Sequence, residues 1–145
     1  MRVAVLNGPN LNLLGQREPE LYGRLSLADI EAMTRAEAGV LAVELEWLQS
    51  NHEGTLVDAV QALHGRVDGA VVNPAALGHT SLALRDAFLA VQVPFVEVHL
   101  TNIFGREPER RHTVLADLAV AVIAGLGAAG YPVGLRALVE RLRGG

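Results

Sequence analysis

Short apolar runs that stop at a glycine or proline, each followed by a stretch of helical periodicity, constrain this chain more than anything else in it. Arg2-Val-Ala-Val-Leu-Asn7 ends at Gly8-Pro9, and Gly69-Ala-Val-Val-Asn73 ends at Pro74. Pro94-Phe-Val-Glu-Val-His99 leads into Leu100-Thr101-Asn102. Runs of this length, apolar at consecutive positions, suit strands covered on both faces of a parallel sheet. Between them the apolar residues recur at helical spacing. Residues 27–39 form the first such stretch, with Ser26 as N-cap and Asp29 three positions on, and with Leu27, Ile30, Met33, Thr34 and Ala38 near one face. Residues 55–64 form the second, with Leu56, Val57, Val60 and Leu63 inward; residues 81–91 and 131–142 follow. Residues 40–49 alternate instead, Val43, Leu45 and Trp47 against Glu44 and Glu46, the period of a half-covered edge strand. Residues 118–124, closed by Gly125 and Gly127, complete five strands.

The resulting order is β-α-β-α-β-α-β-loop-β-α, which implies a parallel sheet with helices on both faces. The expected fold is a flavodoxin-like three-layer α/β sandwich with five strands in the order 2-1-3-4-5. The polar second strand belongs at an edge and the apolar first strand at the centre. The length of 145 residues suits a single domain spanning 1–145. Aromatic residues make up 4% of the chain, so the core must be built from Val, Leu, Ala and Ile.

Composition removes several chemistries. The chain has no cysteine and no lysine, all 12 basic residues being arginine. Thiolate nucleophiles, Cys-ligated metals, Schiff bases and a Walker A lysine are therefore excluded. A net charge of -4 and a pI near 5.7 give no reason to expect nucleic acid or an anionic membrane as partner. No apolar run is long enough to span a bilayer, and the start of the chain lacks a signal-peptide layout, so a cytoplasmic protein is the expectation.

In a parallel sheet the strand ends share one rim, and here three of them are polar. Strand one ends at Asn7 and runs into a long loop carrying Asn10, Asn12, Arg17 and Tyr22; long connections of this kind are binding loops or lids. Strand three ends at Asn73 and is followed by His79. Strand four ends at Glu97-Val-His99, with Arg106 and Arg110 a few residues beyond. Asn73, His79 and His99 should converge, with the arginines above them. Residues two apart on a strand face the same side, so Glu97 can orient the His99 imidazole for general-acid work, although a structural partnership alone is the blander reading. A phenol has an ordinary pKa of about 10, and a guanidinium nearby favours its ionised form; Arg17 shares the loop with Tyr22. Arg110 or Arg106 can hold a carboxylate with a bidentate fork. The Asn73 amide and the backbone N–H groups near Leu100 and Thr101 can meet a polarised oxygen. This set suits removal of a carbon-bound proton and elimination from a small anion. The blander alternatives are a Tyr22 that only plugs an apolar gap, an arginine run that is only a solvated patch, and Asn10 and Asn12 that only cap the turn. His52, His64 and His112 read as ordinary residues. Gly125-Leu-Gly-Ala-Ala-Gly130 falls after the last strand and lacks the acidic partner of a dinucleotide site; its glycines allow close packing.

Taken together, Leu6-Asn-Gly-Pro-Asn-Leu-Asn-Leu-Leu-Gly15 with Arg17-Glu-Pro and Tyr22-Gly23, Asn73-Pro-Ala with His79-Thr-Ser-Leu-Ala-Leu-Arg-Asp86, Glu97-Val-His-Leu-Thr-Asn102, Arg106-Glu with Arg110, and Gly125-Leu-Gly with Tyr131 resemble the type II 3-dehydroquinate dehydratases along nearly the whole chain. The resemblance implies elimination of water from 3-dehydroquinate through an enolate, with no cofactor, no metal and no covalent intermediate. It implies Tyr22 as base, Arg17 as the cation that keeps it anionic, His99 as acid oriented by Glu97, and Asn10 near both. Asn73, His79, Asp86, Leu100, Thr101, Arg106 and Arg110 correspond to substrate-binding positions. It also implies a homododecamer built as a tetramer of trimers, with the Asp86 helix near the trimer contact. Three departures stand out: Gly78 where Thr is frequent, Ala75-Ala76 where one residue is usually Gly, and Pro108-Glu109 where an acidic residue and Phe commonly precede the arginine. Two rival readings remain at this level. One is a flavodoxin-like small-molecule binding domain without catalysis; the other is a hydrolase using Ser81 or Thr80 with His79, which lacks a Gly-x-Ser-x-Gly elbow.

Overall fold

The structure, a computed structural model, describes every residue except Arg17 and Gly145. Five strands, β1 (Arg2–Asn7), β2 (Glu44–Gln49), β3 (Gly69–Asn73), β4 (Phe95–His99) and β5 (Ala121–Ala124), form one sheet in the order β2-β1-β3-β4-β5. Every neighbouring pair is parallel. Five α-helices accompany them: α1 (Pro19–Tyr22), α2 (Leu27–Leu41), α3 (Glu53–Gln61), α4 (Leu82–Val91) and α5 (Gly130–Gly144).

The central strands are sealed on both faces because successive side chains enter two different cores. Val3, Val5, Val71, Val96 and Val98 pack with Ile30 and Ala38 of α2 and Leu135 and Leu138 of α5. Ala4, Leu6, Ala70, Val72 and Phe95 pack with Leu56 and Val60 of α3 and Leu84 and Phe88 of α4. Two glycines let α5 lie close to the sheet: a Cβ on Gly130 would meet Val98 at 3.3 Å, and one on Gly134 would meet Val98 at 3.2 Å.

Local chemistry sets the helix starts. Ser26 and Asp29 exchange hydrogen bonds in a complete capping box at α2, an arrangement typically worth about 1 kcal/mol. Ser81 accepts from the Leu84 N–H at the head of α4 and donates its hydroxyl proton to Glu53 at 2.6 Å, tying that helix start to the start of α3.

Several expected boundaries differ. The loop before residue 26 contains α1, a single helical turn that begins at Pro19, where a fixed φ and a missing N–H suit a first position. Residues 40 and 41 extend α2, so β2 begins at Glu44. Met33 is exposed, while the buried face of α2 is Ile30, Thr34, Ala38 and Leu41. Val57 is half-buried, packed at the margin of the second core. β5 starts at Ala121, because residues 115–119 turn back on themselves through the Leu118 and Ala119 N–H bonds to the Leu115 carbonyl.

Candidate active site

Register along the sheet brings the polar strand ends together. Asn7 lies opposite Asn73 across β1 and β3. The Gly8 N–H then donates to the Asn73 carbonyl at 2.8 Å, holding the two outgoing loops in contact. A Cβ on Gly8 would fall 2.3 Å from the Pro74 oxygen, so glycine is required there. Over this rim opens a cleft.

Its walls carry Asn10, Tyr22, Asn73, His79, His99, Leu100, Thr101, Arg106 and Arg110. Among the described residues, no Asp or Glu lines it. Arg106 and Arg110 line it, while Glu107, which pairs with both, stays outside its wall, so the lining carries positive charge and suits a small anion.

Each of these side chains is held by something identifiable. Asn10 has φ 69°, a left-handed conformation that Asn tolerates. Its N–H donates to the Asn51 side-chain oxygen at 2.9 Å, and Gln49 donates to the same oxygen and to the Gly8 carbonyl. Tyr22 closes α1, and the Arg106 guanidinium stands 5.3 Å above the centroid of its ring, a cation–π arrangement that ties α1 to the loop after β4. Arg106 also donates to the Thr101 hydroxyl at 3.4 Å. Arg110 pairs with Glu107, three residues before it. The Glu107 carboxyl is held below the usual carboxylate range, first by its own backbone N–H and then by Arg110.

His99 reaches the cleft from the end of β4, and its Nε2 meets Glu97 Oε2 at 2.5 Å. Glu97 has no solvent exposure and stands behind the imidazole rather than in the cleft wall. Its other oxygen accepts from the Thr113 hydroxyl at 2.9 Å. With Nε2 engaged, Nδ1 is the ring nitrogen left for chemistry. His79 stacks on His99 with ring centroids 5.7 Å apart. Its Nδ1–H donates to the His112 carbonyl at 2.6 Å, and the His112 Nε2–H returns a bond to the His79 carbonyl at 3.0 Å. Burial pushes the His79 pKa down, the nearby His99 and Arg110 charges add to this, and the His112 carbonyl opposes it.

One expected substrate-binding residue does not line this cleft. Asp86 is exposed on the outer side of α4 and does not line the cleft of its own chain; a four-residue-periodic helix that buries Leu84 and Phe88 turns position 86 away from the sheet. Arg17 lies outside the described residues. Conversely, the sequence assigned no site role to Asn51 and Thr113, or to Tyr131, which it offered only as part of the motif with Gly125-Leu-Gly. Tyr131 is fully buried, and its hydroxyl bonds both Asn7 and Asn73. The glycine run before it signals close packing against the sheet, which is what carries a tyrosine into reach of two strand ends.

Ala75, right after the Asn73-Pro74 turn, has φ 51°. This is the left-handed region where glycine is at home, and it lies in the pair that departs from the usual pattern. At Gly78, a Cβ would approach Pro74 Cγ at 2.6 Å, so this chain's packing has no room for a side chain there. No helix among the described residues is long and apolar enough to cross a membrane.

Comparison with known proteins agrees with the geometry. A model of the family "Dehydroquinase class II" matches residues 1–139. The chain is 58% identical over 142 residues to a 3-dehydroquinate dehydratase of Gemmatimonas aurantiaca, covering 98% of this chain and 93% of that one. It is 54% identical over 131 residues to catabolic 3-dehydroquinase 1 of Aspergillus terreus, covering 90% and 86%. The crystal structure of a type II dehydroquinase from Butyrivibrio crossotus superposes with a TM-score of 0.92 at 37% identity, covering 95% of this chain and 97% of that chain. A sheet in the order 2-1-3-4-5, an acid-free cleft flanked by Tyr22 and His99, and a match from the first residue to the last helix place the chain in the class II dehydroquinase family.

Proposed function

We propose that the chain dehydrates 3-dehydroquinate to 3-dehydroshikimate through an enolate. The observation that carries this reading is a single anion-accepting cleft flanked by a phenol and a carboxylate-backed imidazole, Tyr22 and His99. Arg17 serves as the cation for the Tyr22 phenolate, as the family resemblance implies, and Arg106 stands over the ring. The phenolate takes the proton from the carbon beside the ketone, and the electron pair moves onto the ketone oxygen. A water held by the Asn73 amide, with the Leu100 and Thr101 backbone nearby, stabilises that oxygen. The enolate then collapses, the carbon–oxygen bond to the hydroxyl breaks, and His99 Nδ1 supplies the proton that lets it depart as water. Glu97 keeps the imidazole oriented. Arg110, with Arg106 as the alternative, holds the substrate carboxylate, while His79 and Asn10 contact its hydroxyls.

Asp86 enters this scheme through a second subunit. It sits on α4 between exposed Leu82 and Leu89, an apolar stripe suited to a contact between copies. We assign the family's tetramer of trimers to this chain, with Asp86 serving a neighbour's cleft. Sedimentation velocity reads this directly: a 12-subunit species supports it and a monomer rejects it.

The deciding experiment is incubation with 3-dehydroquinate, followed by the absorbance of the conjugated enone, with and without borohydride. Enone formation without borohydride inactivation is the expected result. No enone would leave a binding domain as the reading.

A further inference from the structure

We infer that Tyr131 is a positioning residue that locks the Asn73 amide in one orientation, so that a side-chain N–H always faces the cleft. The chain of contacts runs through three buried side chains and is anchored at both ends by backbone groups of fixed polarity. At one end the Ala75 N–H can only donate, so the Asn73 atom it meets at 3.1 Å is Oδ1. The Asn73 Nδ2 must then be the atom that donates to the Tyr131 hydroxyl at 2.9 Å. With its lone pair engaged there, the hydroxyl sends its single proton to Asn7 Oδ1 at 2.7 Å. The Asn7 Nδ2 is left to donate to the Leu48 carbonyl at 3.1 Å, and a carbonyl can only accept. The polarity required from one end is the polarity required from the other.

A reversed Asn73 amide would set its NH2 against the Ala75 N–H and leave two donors facing each other. Tyr131 and Asn7 are fully buried, so no solvent competes for these bonds, and burial pushes the Tyr131 pKa up, which keeps the hydroxyl proton in place. The ring is fixed as well, stacked on Trp47 at 5.9 Å. Among the described residues, the second Nδ2 proton of Asn73 has no partner, and Asn73 is part of the cleft wall. The relay therefore delivers one oriented donor to the reacting molecule, using β2, β1, α5 and β3 as its frame.

The catalytic part of this inference rests on the proposed dehydration; the orientation itself does not. The test is a double-mutant cycle. Tyr131→Phe removes only the hydroxyl and should lower kcat for enone formation by about tenfold with a smaller change in KM. In an Asn73→Ala background the same change should have no further effect on kcat, because the group it acts through is gone. A merely structural tyrosine would give the same fractional loss in both backgrounds, and that result, or an unchanged kcat in Tyr131→Phe, overturns the proposal. The orientation is read separately from the Asn73 side-chain 15N–1H pair. In wild-type protein the proton bonded to Tyr131 should show the shift and the slow solvent exchange of a buried hydrogen bond, and Tyr131→Phe should return it to those of a free carboxamide. Two unprotected protons in the wild type overturn the lock even if the variant fails to fold. A wild-type chain that makes no enone while that Asn73 proton stays protected overturns the dehydratase reading and supports the lock.

Discussion

Glu97 and His99, two residues apart on β4, share a bond of 2.5 Å, and the glutamate is completely buried behind the ring it holds. A buried carboxylate is tolerated only when its oxygens are satisfied. Here one oxygen takes the imidazole N–H and the other takes the Thr113 hydroxyl. Thr113→Val keeps the shape of the side chain and removes that second donor. Stability should fall by about 1–3 kcal/mol, read as a lower urea midpoint, with turnover reduced as well because His99 loses a firmly seated partner. An unchanged midpoint would mean that Glu97 Oε1 finds another donor.

Tyr22 and His99 stand on different elements around one cleft, so each can be removed without touching the other's support. Tyr22→Phe and His99→Ala should each reduce kcat for enone formation by about 10²–10⁴-fold with the circular dichroism of the wild type retained; the unfolding midpoint should hold for Tyr22→Phe and fall for His99→Ala, which leaves a buried Glu97 oxygen without its partner. Near-normal turnover in either variant would refute the role given to that residue.

His79 supplies a pH signature. Burial lowers its folded-state pKa below the ordinary value of 6.5. In that window the unfolded chain binds the proton more readily than the folded one, so acidification favours unfolding. The contribution of neutral His79 is present above about pH 6.5 and is lost as pH falls through the lower folded value. Urea midpoints measured from pH 7.5 downward should drop more steeply for wild type than for His79→Gln. Parallel curves would exclude His79 as the source.

Ala75 holds a left-handed backbone at φ 51° with its N–H bonded to Asn73 Oδ1. An L-residue with a Cβ pays roughly 1–2 kcal/mol in this region, part of which glycine returns through its looser unfolded chain. Ala75→Gly should therefore raise stability by roughly 0.5–1 kcal/mol with the cleft intact. A lower midpoint would show that the methyl group's packing outweighs the backbone relief.

The sheet order and most of the site were readable before any coordinates, for reasons that particular residues make plain. Val3 to Leu6 and Ala70 to Val72 are apolar at every position, which only a strand buried on both faces requires. Asn7, Asn73 and His99 break those runs at the same end, so a parallel sheet had to gather them. What stayed hidden depends on contacts distant in sequence. Tyr131 meets Asn7 across 124 positions and Asn73 across 58, and Thr113 looks like any loop threonine until Glu97 is seen beneath it. α1 was missed because a four-residue turn has too few positions to display a period. Met33 was misplaced because the burial stripe on α2 takes Ile30 and Thr34, leaving the residue between them turned outward.

The backbone contact between Gly8 and the Asn73-Pro74 segment fixes how far apart the first and third strand exits stand. Beneath it the Tyr131 hydroxyl bridges the side chains of the same two strand ends. The residues hung from the two exits, Asn10 on one side and Ala75 to His79 on the other, can be exchanged to retune which hydroxyls or rings are welcomed. The aperture they decorate stays constant unless position 8 itself gains a carbon atom. A lineage adapting this scaffold to a bulkier guest would have to open the outer lip carried by Tyr22 and Arg106, because the inner hinge is locked main chain to main chain.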